Sequence, residues 1–308
     1  MDSIGDVAAW ILRRWNVILI AFLILSLWFL FRMPDEESEG YISSENTFEN
    51  QALVLAIECV KESGKLIKST YRNNNIQVQF KGDIDLVTQI DKQSEDLIQS
   101  RIKDIFPSHR FLGEESGEKD LTDAPMWIVD PLDGTTNFVH GIPFIGVSVA
   151  LVVDKKVLVG AVYNPILDEL FTAIRGKGAY LNGQRISVSS TSNMQNALVA
   201  TGFPYDIHNQ TLINNVVTNL GSILKNTRAA RRLGAAAIDM CYVGCGIFDL
   251  YYEVGVRVWD IAAASLIVEE AGGVVEDPFG EPWGLFKNRV LTGNSGLVRQ
   301  FKSVLVKM

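Results

Sequence analysis

Histidine and cysteine are scarce in this 308-residue chain, with three of each. Cys59, Cys241 and Cys245 cannot all pair within one chain, and no two have the C-x-x-C spacing of a zinc or redox site. Cys241 and Cys245 are four apart in a stretch that reads as helical, which places them on one face as small core residues. Lys/Arg-rich runs are also missing. The 28 basic residues stand against 36 acidic ones, a formal net charge of -8, which argues against a protein whose main task is holding a nucleic-acid backbone. A hydrophobic fraction of 47% excludes general disorder, and the length allows one large or two modest domains.

The hydrophobicity is unevenly placed. Trp15 to Phe31 is an uncharged run of 17 residues bracketed by Arg13, Arg14 and Arg32, at the short end of what a bilayer requires. It predicts a single transmembrane anchor. A cleaved signal peptide would need small residues where the chain has Phe31-Arg32-Met33-Pro34, and a core helix would show a polar face. Two Arg before the span and one after place the folded region on the far side of the membrane, whereas unpaired cysteines favour a reducing compartment. The Asn209-Gln210-Thr211 sequon matters only in a lumen. Both sides stay open. The expected organisation is an anchor segment over 1–33, an acidic Ser-containing linker over 34–47, an α+β half over 48–190 and an α/β half over 191–308.

Within the folded region, apolar spacing predicts helices from Gln51 to about Tyr71 and from near Asp91 to before Pro107. Met126 to Val129 reads as a buried strand, and Val147–Val153, Val157–Tyr163 and Leu170–Ile174 as an antiparallel meander. Further on, helices near Leu212–Leu224, Ala235–Val243 and Ile261–Ala271 alternate with strands near Phe248–Tyr252 and Val274–Glu276. The fold class is a layered α/β (α+β) sandwich.

Acidic residues carry the chemistry. In Asp130-Pro131-Leu132-Asp133 two carboxylates lie three apart at a strand end with Pro between them, so both can face a common centre. Gly134-Thr135-Thr136 then offers backbone N–H groups where a helix starts, a position that favours an anion. Glu114 and Glu115 follow an apolar stretch, and Asp260 follows another. Each alone is more often an N-cap or a surface ion pair. Together they form an all-oxygen set suited to Mg²⁺, with no His or Cys at ligand spacing.

Six ordered motifs resemble the inositol monophosphatase family, over about Phe48 to Met308. They are DLVTQID (Asp85–Asp91), GEES (Gly113–Ser116), WIVDPLDGTTNFVH (Trp127–His140), RRLGAAA (Arg231–Ala237), YYEVG (Tyr251–Gly255) and WDIAAASLIVEEAGG (Trp259–Gly273). The resemblance implies the layered fold of the inositol monophosphatases and fructose bisphosphatases, two or three Mg²⁺ per site, lithium sensitivity and a homodimer. It assigns one Mg²⁺ to Glu114, Asp130 and the Leu132 carbonyl, a second to Asp130, Asp133 and Asp260, and a third, weaker one near Glu114. It gives the phosphate to the N–H groups of Gly134 and Thr135, and water activation to Thr135, Asp91 and Glu114. The polyol falls to Glu253 and the backbone near Ala236, with Asp260 beside the substrate. Asn137-Phe138 and Glu253 look most like the inositol monophosphate group, with galactose 1-phosphate or other sugar 1-phosphates next. The anchor instead resembles a relative that clears 3'-phosphoadenosine 5'-phosphate. A membrane-tethered binding protein with a dead site should lack at least one matched position, and all are present.

Overall fold

The computed structural model describes residues 47–73, 78–80, 86–117 and 124–306. The run Trp15–Phe31 and its linker lie outside them. Among the described residues no helix is long and apolar enough to cross a membrane.

Helix α1 (Phe48–Thr70) opens on Thr47, whose side chain accepts from Asn50 N. A short antiparallel pair, β1 (Val78–Phe80) and β2 (Leu86–Thr88), leads into α2 (Gln89–Ile105). Strands β3 (Arg110–Gly113) and β4 (Met126–Asp133) follow, then α3 (Thr135–His140) and the meander β5 (Gly146–Val153), β6 (Lys156–Asn164), β7 (Glu169–Ile174), β8 (Gly178–Leu181) and β9 (Gln184–Arg185). These form a seven-stranded sheet in the order β3-β4-β5-β6-β7-β8-β9, antiparallel except for the β3–β4 pair. The meander expected from the sequence is present, with its first two turns at Asp154-Lys155 and from Pro165 to Asp168.

The rest of the chain builds a second sheet. Strand β10 (Leu198–Thr201) is followed by α4 (Gln210–Asn226), β11 (Ala229–Arg231), α5 (Ala236–Gly244), β12 (Leu250–Val254), α6 (Val258–Glu270), β13 (Val274–Glu276), β14 (Arg289–Gly293) and α7 (Ser295–Lys302). Its five strands run β11-β10-β12-β14-β13. Sequon residue Asn209 caps α4, its side chain accepting from Leu212 N.

Three apolar clusters define the layering. Helices α1 and α2 pack on one face of the large sheet through Leu53, Ile67, Ile98, Trp127 and Val149. Its other face meets α5 and α6, which also touch Tyr251 and Val290 of the second sheet. Helices α4 and α7 cover the outer face of that sheet through Ile223, Leu297 and Phe301. The result is an α–β–α–β–α stack. The middle helices are apolar nearly all round, as a helix buried on both sides must be: Ile261 to Val268 of α6 are all buried. Cys241 is buried on α5, while Cys245 is partly exposed at its C-cap.

Candidate active site

Strand β4 ends in the acidic motif, and the sheet register explains its shape. All eight of its residues are buried, as expected for a strand covered on both faces. Asp130 pairs with Ser148 and Asp133 with Gly146, with a register shift between them. Pro131 has no N–H for the ladder, so the strand bulges there and re-aims its side chains. The Pro131 carbonyl accepts from Ser94 Oγ at 3.0 Å, and Asp130 Oδ1 accepts from Leu132 N at 3.0 Å.

Parallel pairing sets Gly113 of β3 beside Val129, so the next residue, Glu114, arrives beside Asp130. Its backbone N–H donates to Val129 O at 3.2 Å. Glu95 holds this turn from α2: its Oε2 accepts from Glu115 N at 2.8 Å. A Cβ on Gly113 would lie 2.2 Å from that same oxygen, so a side chain there would push the Glu95 carboxylate off the turn.

Asp133 faces the N-terminus of α5. Its Oδ1 accepts from Ala236 N at 3.1 Å and its Oδ2 from Ala237 N at 2.7 Å, which fixes its plane and leaves a lone pair on each oxygen. Ala236 therefore contributes its N–H to a carboxylate. Gly134 follows with φ 88°, in the left-handed region, and a Cβ there would press on Phe144 O at 3.0 Å. Asn137 Nδ2 ties α3 across to Phe144 O (2.6 Å) and Leu233 O (2.8 Å). Asp260, in the first turn of α6, accepts from Arg257 N at 2.7 Å.

A cleft of about 920 Å³ gathers these residues: Glu114, Asp130, Leu132, Asp133, Gly134, Thr135, Ala236, Glu253 and Asp260 all line it. Asp91 does not. It is fully buried and meets the wall through Thr135, whose Oγ1 lies 3.0 Å from Asp91 Oδ1 and 3.2 Å from Leu132 O. Thr88 caps α2 and fixes the other Asp91 oxygen, donating from N (2.9 Å) and Oγ1 (2.6 Å). Glu115 is not on the cleft wall either.

Burial dominates the electrostatics. Asp130 is pushed well up by burial and by the charges of Glu114, Asp133 and Asp260. Asp260 rises for the same reasons, burial first and then Asp133. Burial lifts Asp133 to about 7 against the pull of the α5 N–H groups. Glu253 also rises to about 7 by burial, opposed by its bond from Tyr251 and by Arg232. Buried carboxylates that raise one another call for a counter-charge. An all-oxygen wall without His or Cys suits a hard divalent cation. Among the described residues no three acidic, His or Cys side chains are gathered around one point tightly enough to hold a metal as they stand.

Sequence reasoning missed Thr88, Glu95, Tyr251 and Gly202. Two left a signal: Thr88-x-x-Asp91 has capping-box spacing, and Tyr251 and Glu253 are two apart on a strand and share a face.

Comparison with known proteins identifies the family. The model of the inositol monophosphatase family matches residues 49–306. Inositol monophosphatase 2 of Solanum lycopersicum is 46% identical over 257 residues, 82% of this chain and 96% of its own. Inositol monophosphatase of Dictyostelium discoideum is 43% identical over 267 residues, 85% of this chain and 98% of its own. Among solved structures, the inositol monophosphatase from Anabaena (Nostoc) sp. PCC 7120 superposes with a TM-score of 0.75 at 33% identity, covering 84% of this chain and 96% of that one. The chain belongs to the inositol monophosphatase family, whose members are metal-dependent, and it is a phosphoric monoester hydrolase.

Proposed function

We propose that the cleft hydrolyses inositol monophosphate to inositol and phosphate, with Mg²⁺ bound by Glu114, Asp130, the Leu132 carbonyl, Asp133 and Asp260. The observation that carries this reading is the gathering of those residues, from the ends of β3 and β4 in the large sheet and from α6, on one all-oxygen wall beside Gly134 and Thr135. Bound there, Mg²⁺ supplies an acidified water and positive charge for the leaving alkoxide. Asp133, fixed by the α5 N–H groups, and Asp130, fixed by Leu132 N, present their remaining lone pairs to the ions. Thr135 and Asp91, with Glu114, orient the attacking water. The Gly134 and Thr135 N–H groups hold phosphate oxygens, and Glu253 accepts hydroxyls of the polyol. The run Trp15–Phe31 tethers the enzyme to a membrane in this proposal, on the strength of its uncharged sequence.

The test is phosphate release by the purified full-length chain with Mg²⁺ on myo-inositol 1-phosphate, galactose 1-phosphate and 3'-phosphoadenosine 5'-phosphate. Preference for the inositol ester is expected, and preference for the nucleotide would overturn the substrate assignment. Asp130→Asn and Asp133→Asn should each lower kcat by roughly 10³-fold or more while the far-UV CD spectrum is kept. Near-wild-type kcat in either would reject the ligand set.

A further inference from the structure

Glu253 belongs to β12, in a different sheet from the acidic motif of β4, and its carboxylate is confined from two sides. Tyr251, two residues earlier on the same strand face, donates its hydroxyl to Glu253 Oε2. The Tyr251 side chain is fully buried, out of reach of water as an alternative partner. On the other side, β10 runs parallel to β12 with Thr201 beside Tyr252. Gly202 therefore falls next to Glu253, and a Cβ on it would lie 2.0 Å from Glu253 Oε2 and 2.2 Å from Cδ. Gly202 does not adopt a positive φ, so what a side chain there would change is the carboxylate itself, which would have to move aside. The carboxylate occupies the space that any side chain at 202 would fill.

We propose that Tyr251 and Gly202 are positioning residues that set which alcohol the site accepts, by holding the Glu253 carboxylate in one orientation as an acceptor for ring hydroxyls of the leaving polyol. With Oε2 engaged by the phenol, Oε1 is left for the ligand. The substrate class this defines is a phosphate monoester whose alcohol carries hydroxyls next to the ester carbon, and the inference rests on the functional reading above. Burial pushes the Tyr251 phenol far up, so it remains an O–H donor, and its bond helps keep Glu253 ionised.

The test compares kcat/KM of the full-length enzyme with Mg²⁺ on myo-inositol 1-phosphate and on p-nitrophenyl phosphate, whose leaving group has no hydroxyl beside the ester carbon. In Tyr251→Phe and in Gly202→Ala the ratio of the two should fall about tenfold, the scale of one hydrogen bond to a charged group. Glu253→Gln should lower the ratio as well, and adding Tyr251→Phe to it should cost little more, because both act on one acceptor. Proportional losses on both substrates in the two variants would make the residues merely structural and overturn the proposal, as would an unchanged ratio or additive losses. A wild-type enzyme that cleaves p-nitrophenyl phosphate but no polyol ester would reject the functional reading itself.

Discussion

Thr135 illustrates how a single hydroxyl links two parts of the site. Asp91 is fully buried and has one oxygen held by Thr88; its other oxygen accepts from Thr135 Oγ1, and it is Thr135 that lines the cleft. Removing the hydroxyl should leave substrate binding nearly intact and lose the orientation of the attacking group. Thr135→Val is expected to reduce kcat by about 10²-fold or more with KM little changed, and Thr135→Ser to restore most of it. Steady-state kinetics of the two variants check this, and equal damage in both would contradict it. At this scale the sequence is most informative where a motif is contiguous. Asp130, Asp133, Gly134 and Thr135 sit within six residues, and the Pro between the acids announces the bulge. Partners that act across elements, such as Glu95 of α2 under Gly113 or Gly202 against Glu253, follow from helix docking and strand register, which local sequence does not display.

At the level of elements, the large meander is legible because each of its turns is local. The second sheet is legible only in part: the sequence shows β12 and β13 but not β10, β11 or β14, and the parallel pairing of β10 with both β11 and β12 across intervening helices leaves no local mark. The double burial of α5 and α6 explains why so many alanines stand there: small side chains let two sheets approach one helical layer. Gly160 of β6 shows how close that approach is, for a Cβ on it would lie 2.8 Å from Ala263 O of α6. Because the contact is to helix backbone, the clash cannot be relieved by a rotamer change. Gly160→Ala should therefore destabilise the fold by about 1–3 kcal/mol, read as a lower urea midpoint with unchanged m-value. A midpoint equal to wild type would mean that α6 can move off the sheet freely.

For the whole molecule, the acidic wall couples folding, protons and metal. In the metal-free protein Asp133 has a folded pKa of about 7 against an ordinary value of 3.8, and Asp130 and Asp260 are raised in the same direction. Where folded pKa values are raised, the native state binds protons that the unfolded chain has released, so stability falls as pH rises. For Asp133 the fall begins at about pH 4 and runs through about pH 7, and the raised Asp130 and Asp260 add to it in the same direction. A bound divalent cation reverses the balance, because it favours the ionised carboxylates and displaces their protons. The thermal midpoint of the chelator-treated protein should therefore fall between about pH 5 and about pH 7.5, and saturating Mg²⁺ should flatten or invert that slope. Titrating Mg²⁺ into weakly buffered protein at about pH 6.5 should release protons, and the share contributed by Asp133 should shrink as pH rises above about 7. Asp133→Asn removes one titrating group and should reduce both the slope and the proton release. If the midpoint of the metal-free protein instead rose steadily over the same range, the carboxylates would already be ionised in the native state, and Mg²⁺ binding would have no protons to displace.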